Sequence, residues 1–92
     1  MRVNPKIRLE LITRQGCHLC DEAQDALAGV IARFSNEHPS AAYTVETIDI
    51  DGSPKLLAKY SDEVPVLLLN EEQISFFRID ADRVLMKLKA LV

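Results

Sequence analysis

Polar and apolar residues alternate at the start of the chain. Ile7, Leu9 and Leu11 are separated by Arg8 and Glu10 and followed by Ile12 and Thr13, which predicts a strand over 7–13 with deeper burial at its end. Gln15-Gly16 breaks that pattern. From about His18 to Phe34 the apolar positions fall at Leu19, Ala23, Ala26, Leu27, Val30, Ile31 and Phe34, in the steps of three and four that make one stripe of an amphipathic helix. Ser35 to Ser40, containing Pro39, should end it. The β-branched run from Ala42 to Ile50 predicts a second strand, stopped by Asp51-Gly52. Ser53 suits a helix N-cap and Pro54 a first helical position, with Leu56, Leu57 and Tyr60 packing that short helix down. Val64 to Leu69 is apolar without alternation, the pattern of a strand buried on both faces. Asn70 to Glu72 reads as a hairpin loop and Ile74 to Phe77 as the partner strand. Asp80 or Asp82 should cap a last helix carrying Val84, Leu85, Leu88 and Leu91.

The order is β-α-β-α-β-β-α, an α/β arrangement. The first two strands suit a right-handed parallel crossover and the last two a hairpin. Ninety-two residues accommodate one core, so 1–92 is expected to be a single domain.

Composition narrows the function classes. Eleven Lys and Arg are interleaved with fourteen Asp and Glu, for a net charge of −3. No basic run offers a footprint for phosphate backbones, so a nucleic-acid partner is not expected. Arg83, Lys87 and Lys89 read as a solvated face near a helix C-terminus. Met1 to Lys6 is polar, without the apolar segment of a leader, and no apolar run reaches membrane-spanning length. The expectation is a cytoplasmic chain, not bound to a membrane and monomeric.

Two cysteines, Cys17 and Cys20, are too few for a disulfide framework, and in a reducing compartment such a pair is redox-active or metal-binding. They lie where a strand ends and a helix begins. Residues three apart on a helical turn are neighbours and can reach disulfide geometry. Cys17, at the helix start, faces free N–H groups and the positive end of the helix dipole, which favour a thiolate. Thiols so placed have pKa values of roughly 3.5–7.5, against about 8.5 unperturbed. Cys20, inside the first turn, is the expected resolving thiol. Arg14 and His18 add positive potential, and Asp21 and Glu22 oppose it. Pro65 withholds a ladder N–H just where a buried strand begins, which either a trans proline at the strand's first residue or a cis Val64–Pro65 bond would accommodate. Asp49 and Asp51, flanking Ile50, read as a solvated strand end rather than a metal site.

Thr13-Arg14 before Cys17-His18-Leu19-Cys20, Val64-Pro65-Val66, and the element order together resemble the glutaredoxin branch of the thioredoxin-like superfamily, from about Ile7 to Leu91. The resemblance implies a four-stranded mixed sheet flanked by three helices. It implies Cys17 as nucleophile, Cys20 as resolving thiol, and Pro65 as a cis-proline facing the pair. Val64 would offer backbone groups to an extended peptide or to glutathione, with His18 beside the nucleophile and Arg14 near the glutathione carboxylate. Two departures stand out. His18-Leu19 replaces the family's proline-aromatic pair. The stretch Phe76 to Asp82 contains no glycine where glutaredoxins have a Gly-Gly turn, so side chains would hinder a close approach of glutathione.

The leading reading is a thiol–disulfide oxidoreductase that reduces protein disulfides or glutathione mixed disulfides, with no resident cofactor. Electrons would come from glutathione or a thioredoxin-reductase-type partner. The alternatives are a metal or cluster module, for which one chain supplies too few ligands, and a non-catalytic binding domain on the same scaffold.

Overall fold

The computed structural model describes residues 7–60 and 63–92, with the side chain of Phe76 left out. The reading of Met1–Lys6 therefore lies outside the described residues. Strand β1 (Ile7–Thr13) is followed by helix α1 (His18–Glu37), β2 (Tyr43–Asp49), a 3-10 turn at Ile50–Gly52, α2 (Pro54–Tyr60), β3 (Val66–Leu69), β4 (Glu72–Phe76) and α3 (Ala81–Lys89). The sheet order is β2-β1-β3-β4. β1 runs parallel to β2, with Thr13 opposite Asp49, and antiparallel to β3, with Ile12 opposite Val66. β3 and β4 form an antiparallel hairpin in which Val66 faces Phe76. This is the expected four-stranded mixed sheet with three helices.

Strand alternation divides the core into two layers. Ile7, Leu9 and Leu11 of β1 and Leu67 and Leu69 of β3 point to one face, where Leu27, Val30 and Phe34 of α1 and Val84, Leu85 and Leu88 of α3 cover them. Ile12, Val66 and Leu68 point to the other face and pack with Ile50, Tyr60, Leu56 and Leu57 around α2. The unbroken apolar run of β3 is thus explained: its alternate residues serve two separate layers.

Element ends shift where hydrogen bonding, not periodicity, decides them. α1 continues beyond Phe34 to Glu37, and the His38 N–H donates to the Phe34 carbonyl at 2.8 Å. Pro39 restricts only the residue before it, so Ser35 to Glu37 stay helical. β2 ends at Asp49 rather than Ile50, because the Asp49 Oδ1 accepts the Asp51 N–H at 2.9 Å and starts the 3-10 turn. β3 begins at Val66 rather than Val64, since Pro65 has no N–H for the ladder. Asn70 and Glu71, with φ of 51° and 72°, make a two-residue turn, so β4 starts at Glu72. β4 ends at Phe76, and Phe77, expected in the strand, turns away with φ of 62°.

Side chains cap the two later helices. Ser53 Oγ accepts the Leu56 N–H at 3.3 Å, and Asp80 Oδ1 accepts the Arg83 N–H at 3.2 Å, which decides between the two candidate caps of α3. Asp80→Ala should lower stability by about 1 kcal/mol, read as a lower urea midpoint at unchanged slope.

Candidate functional site

β1 and β2 end, and β3 begins, at the same edge of the sheet. β4 ends there too. The topology therefore gathers the loop after β1, the 3-10 turn, the Val64–Pro65 peptide and the loop after β4 at one end of the molecule. Gly16, with φ of 73°, turns the chain out of β1 toward α1, a conformation glycine adopts without a Cβ clash.

Cys17 is the N-cap of α1, and its Sγ accepts the Cys20 N–H at 3.1 Å. The cap backbone is extended (φ −95°, ψ 111°), and the Asp21 N–H reaches the Cys17 carbonyl at 3.3 Å. The sulfur therefore takes the place that a serine or aspartate oxygen holds at other helix starts. Cys17 and Cys20 are disulfide-bonded with Cα atoms 5.2 Å apart, within the range a disulfide spans without backbone movement. Their exposures differ. Cys17 is half-buried, whereas Cys20 is 2% exposed and faces the core.

The remaining candidates are distributed around this pair. Arg14 follows β1, and its Nε lies 3.5 Å from Asp51 Oδ1 in the 3-10 turn. That partner lowers the positive potential Arg14 can present to an incoming anion, a restraint not expected from the sequence. His18 is exposed at the first position of α1. The Val64–Pro65 bond is cis; Pro65 is buried, and Val64 is half-buried against the α2 layer. The Pro65 carbonyl accepts the Phe77 N–H at 2.9 Å, which ties the loop after β4 to the proline. Asp49 and Asp51 are taken up by the turn and the ion pair, and among the described residues no three His, Cys, Asp or Glu side chains cluster to hold a metal ion. No helix among them is long and apolar enough to cross a membrane.

Residues 8–89 match the glutaredoxin-like domain family (DUF836). The chain belongs to that family. This glutaredoxin-like domain is 28% identical over 88 residues to a glutaredoxin-like protein of Dictyostelium discoideum, covering 94% of this chain and 79% of that one. It is 31% identical over 81 residues to an uncharacterized protein of Mycobacterium tuberculosis, covering 83% and 76%. Among solved structures, a structural-genomics target protein from X. campestris superposes with a TM-score of 0.64 at 32% identity, over 89% of this chain and 96% of that one. The thioredoxin Deadhead of Drosophila aligns at a TM-score of 0.60 and 19% identity, over 97% and 84%, which shows the thioredoxin fold alone. Family, fold and the close cysteine pair together assign the glutaredoxin-like domain a redox-related role.

Two features of the site had no signal in the sequence. Asp51 is a partner of Arg14 only because the parallel pairing of β1 with β2 brings their ends together. Phe77 is not a residue type that announces a positive φ.

Proposed function

We propose that this glutaredoxin-like domain is a thiol–disulfide oxidoreductase that reduces disulfides of other proteins or glutathione mixed disulfides. The observation that carries the reading is the asymmetry of the pair: Cys17 is accessible at a helix N-cap, and Cys20 is buried within bonding reach behind it. The N–H that meets Cys17 Sγ also stabilises a thiolate there once the disulfide is opened.

The Cys17 thiolate attacks one sulfur of the substrate disulfide. A new S–S bond to Cys17 forms as the old one breaks, and the departing sulfur takes a proton from solvent. Cys20 then loses its proton and attacks Cys17 Sγ, closing the internal disulfide and releasing the second substrate sulfur, which is protonated in turn. The substrate gains two electrons and two protons; the cysteine pair supplies both electrons and, from Cys20, the equivalent of one proton, and solvent supplies the other. Glutathione or a thioredoxin-reductase-type partner returns the pair to the dithiol. No resident cofactor enters these steps, and one chain supplies both cysteines, so the working unit is a monomer. A reductant of this kind acts in a reducing compartment, the cytoplasm. Arg14, His18 and the backbone of Val64 beside Pro65 form the substrate-facing rim in this reading.

The test is an equilibrium titration in glutathione buffers, followed by alkylation and mass spectrometry, with Cys20→Ser alongside. The wild type should interconvert between states that differ by two alkylated thiols. Cys20→Ser should accumulate one glutathione per chain on Cys17. A pair that never closes across the accessible range would overturn the proposal.

A further inference from the structure

β2 is an edge strand, and among the described residues no strand pairs with its outer side. Alternate residues of such a strand turn N–H and C=O groups outward, where another chain can pair with them. Proteins ordinarily guard these edges with shortness, a bulge, proline or lysine. β4, at the opposite edge, is five residues long and shifts register against β3. β2 has none of these guards. It is seven residues long, contains no Pro or Lys, and holds an unbroken register with β1.

The two faces of this edge differ. On the α1 face lies an open groove of about 530 Å³, lined by Leu27, Ala28 and Ile31 of α1 and by Val45 and Thr47 of β2. Val45 is 44% exposed there. On the α2 face, which Glu10 shares with Ile12, Glu46 stands directly opposite Glu10 of β1. Like charges so placed across two strands destabilise the pairing. Among the described residues no cation is paired with either carboxylate. Arg8, two residues from Glu10 on the same face, reaches Glu71 instead, at 3.9 Å. A strand added beside β2 would project its residue opposite Glu46 onto the α2 face and that residue's neighbours into the groove. A Lys or Arg at that position pairs with Glu46 and offsets its repulsion from Glu10. A second copy of this chain fits poorly, because β2 carries Glu46 and Asp49 and no cation, so self-pairing would add carboxylates to one sheet edge.

We infer that the outer edge of β2 is a docking site for an extended segment of a partner polypeptide in which apolar residues alternate with Lys or Arg. The segment adds a fifth strand to the sheet. Backbone hydrogen bonds hold it, its apolar side chains enter the groove, and a cation meets Glu46. The groove's lining contains neither cysteine, and docking there leaves the Cys17–Cys20 pair uncovered. The surface therefore stands apart from the oxidoreductase reading and does not depend on it.

An amide-resolved NMR titration of the oxidised chain tests it. The probes are short capped peptides of alternating Val and Lys, alternating Ser and Lys, and alternating Val and Glu. The Val–Lys peptide should shift amides of β2 around Val45 and Glu46, together with Ala28 across the groove. The Ser–Lys peptide should bind about tenfold more weakly, the factor expected for losing part of the apolar burial. Glu46→Lys supplies the charge reversal. Glu46 is exposed, so the variant should keep the fold, which its own amide spectrum checks. It should bind the Val–Lys peptide about fivefold more weakly than the wild type does and should prefer the Val–Glu peptide. A Ser–Lys peptide that binds the wild type as well as Val–Lys does overturns the site without recourse to any variant. So do shifts that avoid β2, the absence of binding by the Val–Lys peptide, and a preference for Val–Lys that survives in Glu46→Lys. Sedimentation of the free chain covers the other occupant: a dimer whose interface maps to β2 would give the edge to a second copy and overturn the partner segment.

Discussion

Cys17→Ser should abolish disulfide reduction, lowering the exchange rate by roughly three orders of magnitude or more. A serine hydroxyl is not ionised near neutral pH and forms no disulfide. The loss should be chemical and not structural, because the position is the N-cap of α1, where serine is among the favoured residues. Its Oγ can accept the Cys20 N–H that now meets sulfur. The check is a stopped-flow or quenched exchange assay beside far-UV circular dichroism and a urea unfolding curve. Activity should vanish while helix content and unfolding midpoint stay close to those of the reduced wild type, which like the variant lacks the Cys17–Cys20 cross-link. Retention of disulfide reduction by Cys17→Ser would remove Cys17 from the nucleophile's role.

Phe34→Ala should be the most damaging single change to the fold, with a loss of about 3–5 kcal/mol. Phe34 is fully buried on α1, in the layer that joins β1 and β3 to α1 and α3. Its ring lies 5.3 Å from that of His38 and 6.4 Å, edge-on, from that of Tyr43. Truncation leaves a void at the C-terminal end of α1 and removes both ring contacts. A chain of this length typically has only about 5–15 kcal/mol of net stability, so the variant should be close to unfolding at ambient temperature. Urea denaturation would measure it. A midpoint within experimental error of the wild type would mean that the layer closes over the void.

Much of this protein was legible in its sequence, because periodicity and burial leave local marks. The alternation of Ile7, Leu9 and Leu11, the helical stripe from Leu19 to Phe34 and the unbroken run of β3 each report which side of an element meets the core. The cysteine pair reported itself by spacing and by its place between a strand and a helix. Pro65 marked the entrance of β3 because it lacks an N–H. Element ends were less legible. They depend on single hydrogen bonds, such as Asp49 to the Asp51 N–H or the two-residue turn at Asn70 and Glu71, and a hydrophobic pattern carries no record of these. Only the tertiary structure decided which distant residues share the redox end. The pairing of Arg14 with Asp51 follows from the parallel register of β1 and β2. The tie between the loop after β4 and the proline follows from the antiparallel return of β4, whose last residue lies opposite Val66, so that the next N–H meets the Pro65 carbonyl. The sign of a loop φ and the meeting of two chain ends are set by where the sheet puts the backbone. The sequence therefore determined the layers and the reactive pair, and the fold decided what surrounds that pair.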